Sequence, residues 1–277
     1  MSKKNQSNRL TLQQKENLGA VGIFGDEAKL HDVLVGDVSK KVIDELEKEF
    51  PNLVFRYRTS LSKEEINQTL KKIDAELGQT LFLPDAKIKP DGGLIEVQDD
   101  EGNWRVVLVS EAKHQGKDIE NIKNGIKVGV NDDQDFMVAG NAIERSHKNI
   151  SELANFMLKE NYFPYILFLE GSNFLTEDVV VTRPDGEVLT IRYNTGSLNR
   201  LDRLTSANYG MPLNTNLCKN KFIKTNNGSL MLQAASIYTQ GNGAHWNEAE
   251  MLKIMLDVAK SSIQMLASDL FQQLTKR

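Results

Sequence analysis

The sequence predicts an α/β fold, in which helices flank a central mixed β-sheet. Two apolar segments flank the Asp- and Gly-rich stretch QDDEGNW and so predict a β-hairpin. Farther along, FPYILFLEG (163–171) is a short apolar run typical of a strand that is covered on both faces. A hairpin, a helix and then a buried strand together describe a sheet with helices packed against it.

Helices are predicted where apolar side chains recur every three or four residues. Such a period runs from Gly22 to Glu49, and Pro51 ends it. A second helix is predicted over SLSKEEINQTLKKIDAEL (60–77), because the Ser-Lys-Glu-Glu near its start is a capping pattern. The third helix, NAIERSHKNISELANFMLKEN (141–161), directly precedes the buried strand.

The second half of the chain adds a hairpin, one strand and one helix. DVVVTRPDGEVLTIRYN (178–194) turns at Pro-Asp-Gly and is expected to stand away from the core. LMLQAASIYTQ (230–240) predicts a single strand, and EMLKIMLDVAKSSIQMLASDLFQQL (250–274) predicts the final helix. No internal repeat or composition break divides residues 1–277, so we expect a single domain with residues 1–16 as a mobile N-terminal arm.

The composition is that of a globular protein that buries a sizeable core. Of the 277 residues, 40% are hydrophobic and 26% are charged, which are ordinary values. No apolar run approaches the roughly 18 residues of a membrane span, and the N-terminus lacks the apolar stretch of a signal peptide, so we expect a cytoplasmic protein. The single cysteine excludes an internal disulfide. The four histidines form no HExxH or similar pattern, so a zinc site is not expected.

The charge distribution is more informative than the net charge. A net charge of −4 argues against indiscriminate binding to nucleic acid. Basic residues nevertheless cluster in KHQGK (113–117), ERSHK (144–148) and NRLDR (199–203). Each cluster alone is compatible with an ordinary solvated surface, whereas the three together are compatible with patches that bind phosphate.

Charged residues occupy the end of the second hairpin strand, in SEAKHQGK, where a core strand would ordinarily carry valines. If the loop 99–103 is symmetric, the hairpin sets Asp91 opposite Glu111. Directly opposed Cβ atoms in an antiparallel pair lie about 5 Å apart. Glu111 and Lys113 project from the same face of their strand because they are two residues apart. Two carboxylates and a lysine are therefore expected to converge.

Two carboxylates this close would repel each other unless a cation lay between them. A divalent ion would meet this need, and carboxylate oxygens with water are the hard ligands that Mg²⁺ prefers, often together with phosphate. Lys113 would add a fixed positive charge suited to a phosphate oxygen or to an attacking water. The alternative is a solvated strand end with one ordinary Glu/Lys pair.

These residues match the PD…(D/E)xK pattern of metal-dependent nucleases, with PD at 90 and 91 and EAK at 111–113. The neighbouring stretches are more specific; they are IKPDGG, EAKHQGKDI, GNAIERSHKNISE, LFLEGSNFLTE, NRLDRLT, ANYGMP and LQAASIYTQG. Together they closely resemble the EcoRI/RsrI family of type II restriction endonucleases, from QSNRLT near the N-terminus to DLFQQLT near the C-terminus. The resemblance implies a restriction-endonuclease-like fold whose projecting arms, 117–135 and 178–194, wrap DNA.

The resemblance also implies an activity. It is that of a homodimer that cuts double-stranded DNA at the palindrome GAATTC after the G, uses Mg²⁺ and leaves 5′-phosphate ends. Asp91 and Glu111 would be the metal ligands, and Lys113 would orient or activate the attacking water. A two-fold symmetric protein suits a palindromic site. A companion methyltransferase would act on the same site, with no direct contact implied.

DNA recognition is expected in FMVAGNAIER (136–145). The side chain of Asn141 can make a bidentate contact with adenine in the major groove, and Gly140 allows the backbone to approach base edges. The resemblance assigns Asn141 and Arg145 to the adenines and residues 137 and 138 to the pyrimidines. The alternative is an ordinary Asn-capped helix. The full set of expected DNA contacts is Met137, Val138, Ala139, Gly140, Asn141, Ala142, Glu144, Arg145, Arg200, Arg203, Lys89, His114, Gln115 and Lys117.

Two other functions remain open for the same residues. The first is a nuclease of the same fold with another task, such as repair or junction resolution, which the long match across the recognition segment disfavours. The second is a non-catalytic DNA-binding regulator, which would have no reason to keep two opposed carboxylates. Cleavage of a plasmid distinguishes all three functions.

Overall fold

A computed structural model of the protein describes residues 26–79, 85–126, 128, 140–193 and 213–276; of residues 26–30, 141, 142 and 144 it describes the backbone alone. The described strands are β1 (Phe55–Arg58), β2 (Leu61–Ser62), β3 (Lys87–Ile88), β4 (Leu94–Gln98), β5 (Trp104–His114), β6 (Tyr165–Glu170), β7 (Val179–Thr182), β8 (Val188–Ile191), β9 (Lys221–Thr225), β10 (Gly228–Leu232) and β11 (Ser236–Thr239). The described helices are α1 (Asp26–Glu49), α2 (Lys63–Lys71), α3 (Asp118–Lys123), α4 (Gly140–Phe156), α5 (Glu248–Met265) and α6 (Phe271–Leu274).

Five strands form the central sheet, in the order β1-β4-β5-β6-β11. The pairs β1/β4 and β4/β5 are antiparallel, whereas β5/β6 and β6/β11 are parallel. The predicted mixed sheet is thereby confirmed. Strand β6 is buried at every position, because it lies between two other strands and both of its faces are covered.

Helices cover both faces of this sheet. Ser110 of β5 points toward α1, where its Oγ lies 3.0 Å from Ser39 Oγ. The next residue, Glu111, accepts a hydrogen bond from Ser146 of α4. Because successive side chains of a strand point to opposite faces, α1 and α4 lie on opposite sides of β5. Helix α5 packs against both α1 and β5 and so belongs to the α1 side.

The hairpin β4/β5 forms as predicted, but its register shifts by one residue. Val97 pairs with Arg105, as the symmetric loop requires. A β-bulge between Ile95 and Glu96 then sets Ile95 opposite Leu108 rather than Val107. The predicted direct pairing of Asp91 with Glu111 is therefore wrong, because one extra residue on β5 moves the remaining pairs.

Helix α2 begins at the predicted capping box, in which the side chain of Ser62 accepts from the backbone N–H of Glu65 and that of Glu65 accepts from Ser62. It ends at Lys71 rather than at the predicted residue 77. Ile73 and Leu77 continue the apolar period but are exposed, so extending the helix would bury no apolar surface. Helix α4 likewise ends at Phe156, short of its predicted end.

The single strand predicted over residues 230–240 is two strands in the structure. Strand β10 pairs only with β9 in a separate, largely exposed ribbon, whereas β11 is buried in the central sheet. Residues 233–235 separate the two strands and turn the chain from the ribbon into the core. The predicted final helix is also divided, into α5 and α6.

The predicted hairpin 178–194 is present as strands β7 and β8, which form their own two-stranded sheet. This sheet packs on α3 through a second apolar cluster, formed by Ile119, Ile122, Val128, Leu175, Val181 and Ile191. Residues 1–16, most of 124–139 and residue 194 lie outside the described ranges. Among the helices that the structure describes, none is both long and apolar enough to cross a membrane.

Gly93, at the start of β4, supports a prediction about stability. Its φ is +70°, and a Cβ there would lie 2.5 Å from the carbonyl oxygen of Arg58 and 2.8 Å from the ring of Tyr57. Gly186 is a matched control, because its φ is also positive, at +91°, but a Cβ would meet nothing within 4 Å. Gly93→Ala is expected to lower the free energy of unfolding by roughly 1 to 3 kcal/mol more than Gly186→Ala, since only Gly93 adds overlap to the backbone strain. Urea denaturation of the two variants measures this difference, and equal losses would contradict it.

Candidate active site

Lys113 lies between the two candidate carboxylates. Its Nζ is 2.5 Å from Asp91 Oδ2 and 2.7 Å from Glu111 Oε1. Asp91 Oδ2 also accepts from the backbone N–H of Ala112, at 3.3 Å. The shifted register does not separate the three side chains, because Asp91 precedes β4 and reaches across to β5 from its loop. The predicted convergence of two acids and a lysine is present.

The protein surroundings set the charge state of this group. Burial raises the pKa of Asp91, against the opposing charge of Lys113. Burial lowers the pKa of Lys113, but the charges of Glu111 and Asp91 outweigh it and leave the pKa raised. Lys113 is therefore protonated at neutral pH and acts as a fixed cation and hydrogen-bond donor.

Glu111 is held by three further side chains that were not predicted. It is 1% exposed and accepts hydrogen bonds from Ser146 Oγ at 3.2 Å, from Asn149 Nδ2 at 3.0 Å and from Tyr165 OH. Burial and the charge of Glu111 raise the pKa of Tyr165 far above its usual value, so its hydroxyl remains a donor. A signal was available for two of them: Ser146 and Asn149 are three residues apart and so share one helix face.

Asp32 of α1 is a third acidic neighbour that sequence reasoning missed. Partial burial of its carboxyl group and the nearby charge of Asp91 together raise its pKa to about 6. The next residue, Val33, is apolar but exposed. The apolar pattern of α1 therefore did not indicate which face of the helix lies toward the active site.

The donor set fits a hard divalent cation. Asp91 and Glu111 each place one carboxylate oxygen against Lys113 Nζ, so the two carboxylates are neighbours on either side of the ammonium group. Oxygen ligands with water are what Mg²⁺ prefers, so the pair suits such an ion once the ammonium group moves aside. These two residues would hold the ion, with Lys113 beside it.

A second cluster of titratable side chains lies on the opposite face of β5. Glu170 Oε1 lies 3.0 Å from His114 Nδ1 and 2.6 Å from His245 Nδ1, and its Oε2 lies 3.4 Å from His31 Nδ1. The side chain of His114 is only 3% exposed and is turned toward Glu170. Its expected contact with DNA therefore remains a prediction that would require this side chain to turn outward.

The remaining predicted DNA contacts fall into two groups. Lys89 and Arg145 are exposed, and Gln115 and Lys117 are half-buried beside the end of β5. For the other predicted contacts the structure describes either no atoms or the backbone alone; they are Met137, Val138, Ala139, Asn141, Ala142, Glu144, Arg200 and Arg203. Gly140 begins α4.

The chain is similar to known restriction enzymes over nearly its whole length. Residues 17–273 match the family model described as Restriction endonuclease EcoRI. The chain is 64% identical to the type II restriction enzyme EcoRI of Escherichia coli over 277 residues, which cover all of both chains. It is 49% identical to the type II restriction enzyme RsrI of Cereibacter sphaeroides over 269 residues, which cover 97% of this chain and 96% of that one.

These matches extend over both halves of the candidate active site and over the central sheet that positions it. The sequence-based interpretation as a type II restriction endonuclease is thereby confirmed. The chain belongs to the EcoRI family of restriction endonucleases.

Proposed function

We propose that this protein is a type II site-specific deoxyribonuclease that binds double-stranded DNA as a homodimer at GAATTC. It hydrolyses the phosphodiester bond after the G in each strand with Mg²⁺ and leaves 5′-phosphate ends. The protein acts in the cytoplasm. The observation that carries the proposal is the convergence of Asp91, Glu111 and Lys113 in a chain 64% identical to EcoRI.

The three residues divide two roles between them. Asp91 and Glu111 hold Mg²⁺, which when bound neutralises charge on the phosphate oxygens and lowers the pKa of associated water. Lys113 orients or activates the attacking water near the scissile phosphate, and its raised pKa favours the protonated form that donates a hydrogen bond. Asn149 and Tyr165 keep the carboxylate of Glu111 in place.

Recognition is proposed at the start of α4 and in the segment before it, through Asn141, Arg145 and residues 137–138. Arg145 is exposed on the second turn of the helix, where it is accessible to a base or a phosphate. The helix begins at Gly140, so its N-terminal N–H groups favour a nearby phosphate. A palindromic site requires two such surfaces related by a two-fold axis, and each chain contributes one catalytic group.

A plasmid assay distinguishes this function from the two alternatives. With Mg²⁺, a plasmid that contains one GAATTC site is expected to become linear, while the same plasmid with the site deleted stays intact. A smear of fragments would indicate a general nuclease with another task. A mobility shift without cleavage would indicate a DNA-binding regulator.

Removal of the catalytic side chains is expected to separate cleavage from binding. Asp91→Ala, Glu111→Gln and Lys113→Ala should each abolish cleavage and leave specific DNA binding largely intact, because they remove chemistry rather than base contacts. Glu111→Gln should also strengthen binding without metal, since it removes a negative charge that repels phosphate. Cleavage assays and equilibrium binding in EDTA measure the two properties.

The control for these variants is Glu101→Gln, which removes an exposed carboxylate from the turn of the same hairpin. It should leave both cleavage and binding unchanged. If the three site variants lost binding in parallel with cleavage, their side chains would be structural.

Tyr165→Phe tests the support of Glu111. The substitution removes only the hydroxyl that donates to Glu111 and is expected to reduce the cleavage rate or the Mg²⁺ affinity about 10- to 100-fold, as loss of a group that orients a metal ligand typically does. Tyr162→Phe is the matched control, because Tyr162 is equally buried but donates to the backbone carbonyl of Val106. It should cost about 1 kcal/mol of stability and leave the Mg²⁺ dependence unchanged. Equal effects of the two variants on the Mg²⁺ dependence would contradict the role of Tyr165 in positioning Glu111.

DNA affinity is expected to fall steeply with salt despite the acidic composition. Each phosphate that a Lys or Arg neutralises releases counterions and adds about 0.9 to the slope of log affinity against log salt concentration. Several such contacts per subunit, at Lys89, Lys117 and Arg145 among others, should therefore give a slope of several units. Titrations in EDTA across a range of NaCl concentrations measure it, and a nearly flat plot would exclude the proposed basic patches.

A further inference from the structure

Three of the four histidines of the chain meet at a single carboxylate. His31, His114 and His245 come from three distant parts of the sequence, and each directs its Nδ1 at Glu170. We propose that His114, His245 and Glu170 bind a transition-metal ion of the Zn²⁺ type, at a site separate from the Mg²⁺ carboxylates. Imidazole nitrogen is a ligand for ions of this type, whereas Mg²⁺ prefers oxygen.

The geometry needs little adjustment to hold such an ion. One ligand atom from each of His114, Glu170 and His245 lies within 4.8 Å of the others. Bonds of about 2.0 to 2.2 Å in a tetrahedral site place the ligand atoms roughly 3.4 Å apart. The nitrogens of His114 and His245 now lie 3.0 and 2.6 Å from Glu170 Oε1, so to admit the ion they would move outward by about 0.4 and 0.8 Å respectively. The side chain of His245, which makes the larger movement, is 54% exposed and can shift toward solvent.

Two of the three ligands have hydrogen-bonding neighbours of the kind found around protein metal sites. Such a histidine typically donates its second ring N–H to a carboxylate, which fixes the ring and its tautomer. His245 Nε2 lies 3.4 Å from Glu120 Oε1 on α3, which leaves Nδ1 directed at Glu170. The backbone N–H of Trp246 donates to Glu170 Oε2 at 2.8 Å and holds the carboxylate from the other side. A fourth coordination position remains for water.

The charge states of the cluster suit a divalent cation. Burial raises the pKa of Glu170, but its hydrogen bonds with His114, His245 and the backbone N–H of Trp246 outweigh burial and bring the pKa to about 2, so the carboxylate is ionised. Burial lowers the pKa of His31 to about 4, so this neighbour is neutral and adds no repulsion near pH 7. The ionised carboxylate of Glu170 gives the site the negative charge that attracts a divalent cation.

The position of the site distinguishes it from the carboxylate group. His114 follows Lys113 directly in β5, but successive side chains point to opposite faces of the strand. The histidine cluster therefore lies on the α1 side, while Glu111 and Lys113 lie on the α4 side. Bound metal would join the end of β5, the end of β6 and the segment that leads into α5.

Cobalt titration of the full-length protein tests the site, because Co²⁺ replaces Zn²⁺ and absorbs visible light more strongly with tetrahedral nitrogen ligands than with octahedral oxygen ligands. The protein should bind one Co²⁺ per chain with such bands, and one equivalent of Zn²⁺ should displace it. His245→Ala should lose the bands and weaken Zn²⁺ affinity more than about tenfold. His147→Ala, which removes the fourth histidine from the exposed side of α4, should behave like the unmodified protein.

One further variant and two further measurements complete the test. Asp91→Ala should keep the bands, because it alters only the carboxylate group on the other face. Circular dichroism of His245→Ala confirms that any loss is not a loss of fold, and Zn²⁺ should raise the melting temperature of the unmodified protein but not of this variant. Equal Zn²⁺ affinity in His245→Ala, bands lost in Asp91→Ala, or the absence of bands altogether would each overturn the proposal.

Discussion

The contact of Lys113 with two acidic side chains is the interaction on which the rest of the active site depends. A buried carboxylate without a partner is costly, and two of them side by side would be more so. The ammonium group compensates both, and it does so from the same strand face as Glu111. The β4/β5 hairpin brings the three groups to one place, and Tyr165 of the buried strand β6 holds Glu111 there.

Local patterns predicted the parts of this arrangement that depend on neighbouring residues. Glu111 and Lys113 were predicted to lie together because side chains of a strand alternate between its two faces. Asp91 was predicted beside them because a short loop connects its strand to β5. The bulge at Ile95 was not predictable, since an extra residue in an apolar run leaves no mark in the sequence. The division of residues 230–240 was missed for a similar reason: both strands are apolar, and only their packing differs.

Contacts between segments that are distant in the chain were not predicted from the sequence. In the sequence, Tyr165 looks like one more apolar residue of a core strand. Its hydroxyl reaches Glu111 only because β6 lies parallel to β5. The histidines were judged by their spacing, and a search for closely spaced ligands cannot find residues 31, 114 and 245, which meet through tertiary structure alone. One strand end thereby presents oxygen groups on one face and nitrogen groups on the other, with different affinities for metal ions.

Helix α4 links the two ends of the active region as a single rigid body. Its first residue joins the segment proposed to read the bases, and nine residues later Asn149 holds the carboxylate of Glu111. At 1.5 Å per residue the two points are about 13 Å apart, so a tilt of only a few degrees about the helix start displaces the amide by roughly 1 Å. A displacement of that size is enough to lengthen a 3.0 Å hydrogen bond beyond its useful range. A shift in the first turn of α4 would therefore change the position of Glu111, which is proposed to bind the metal ion.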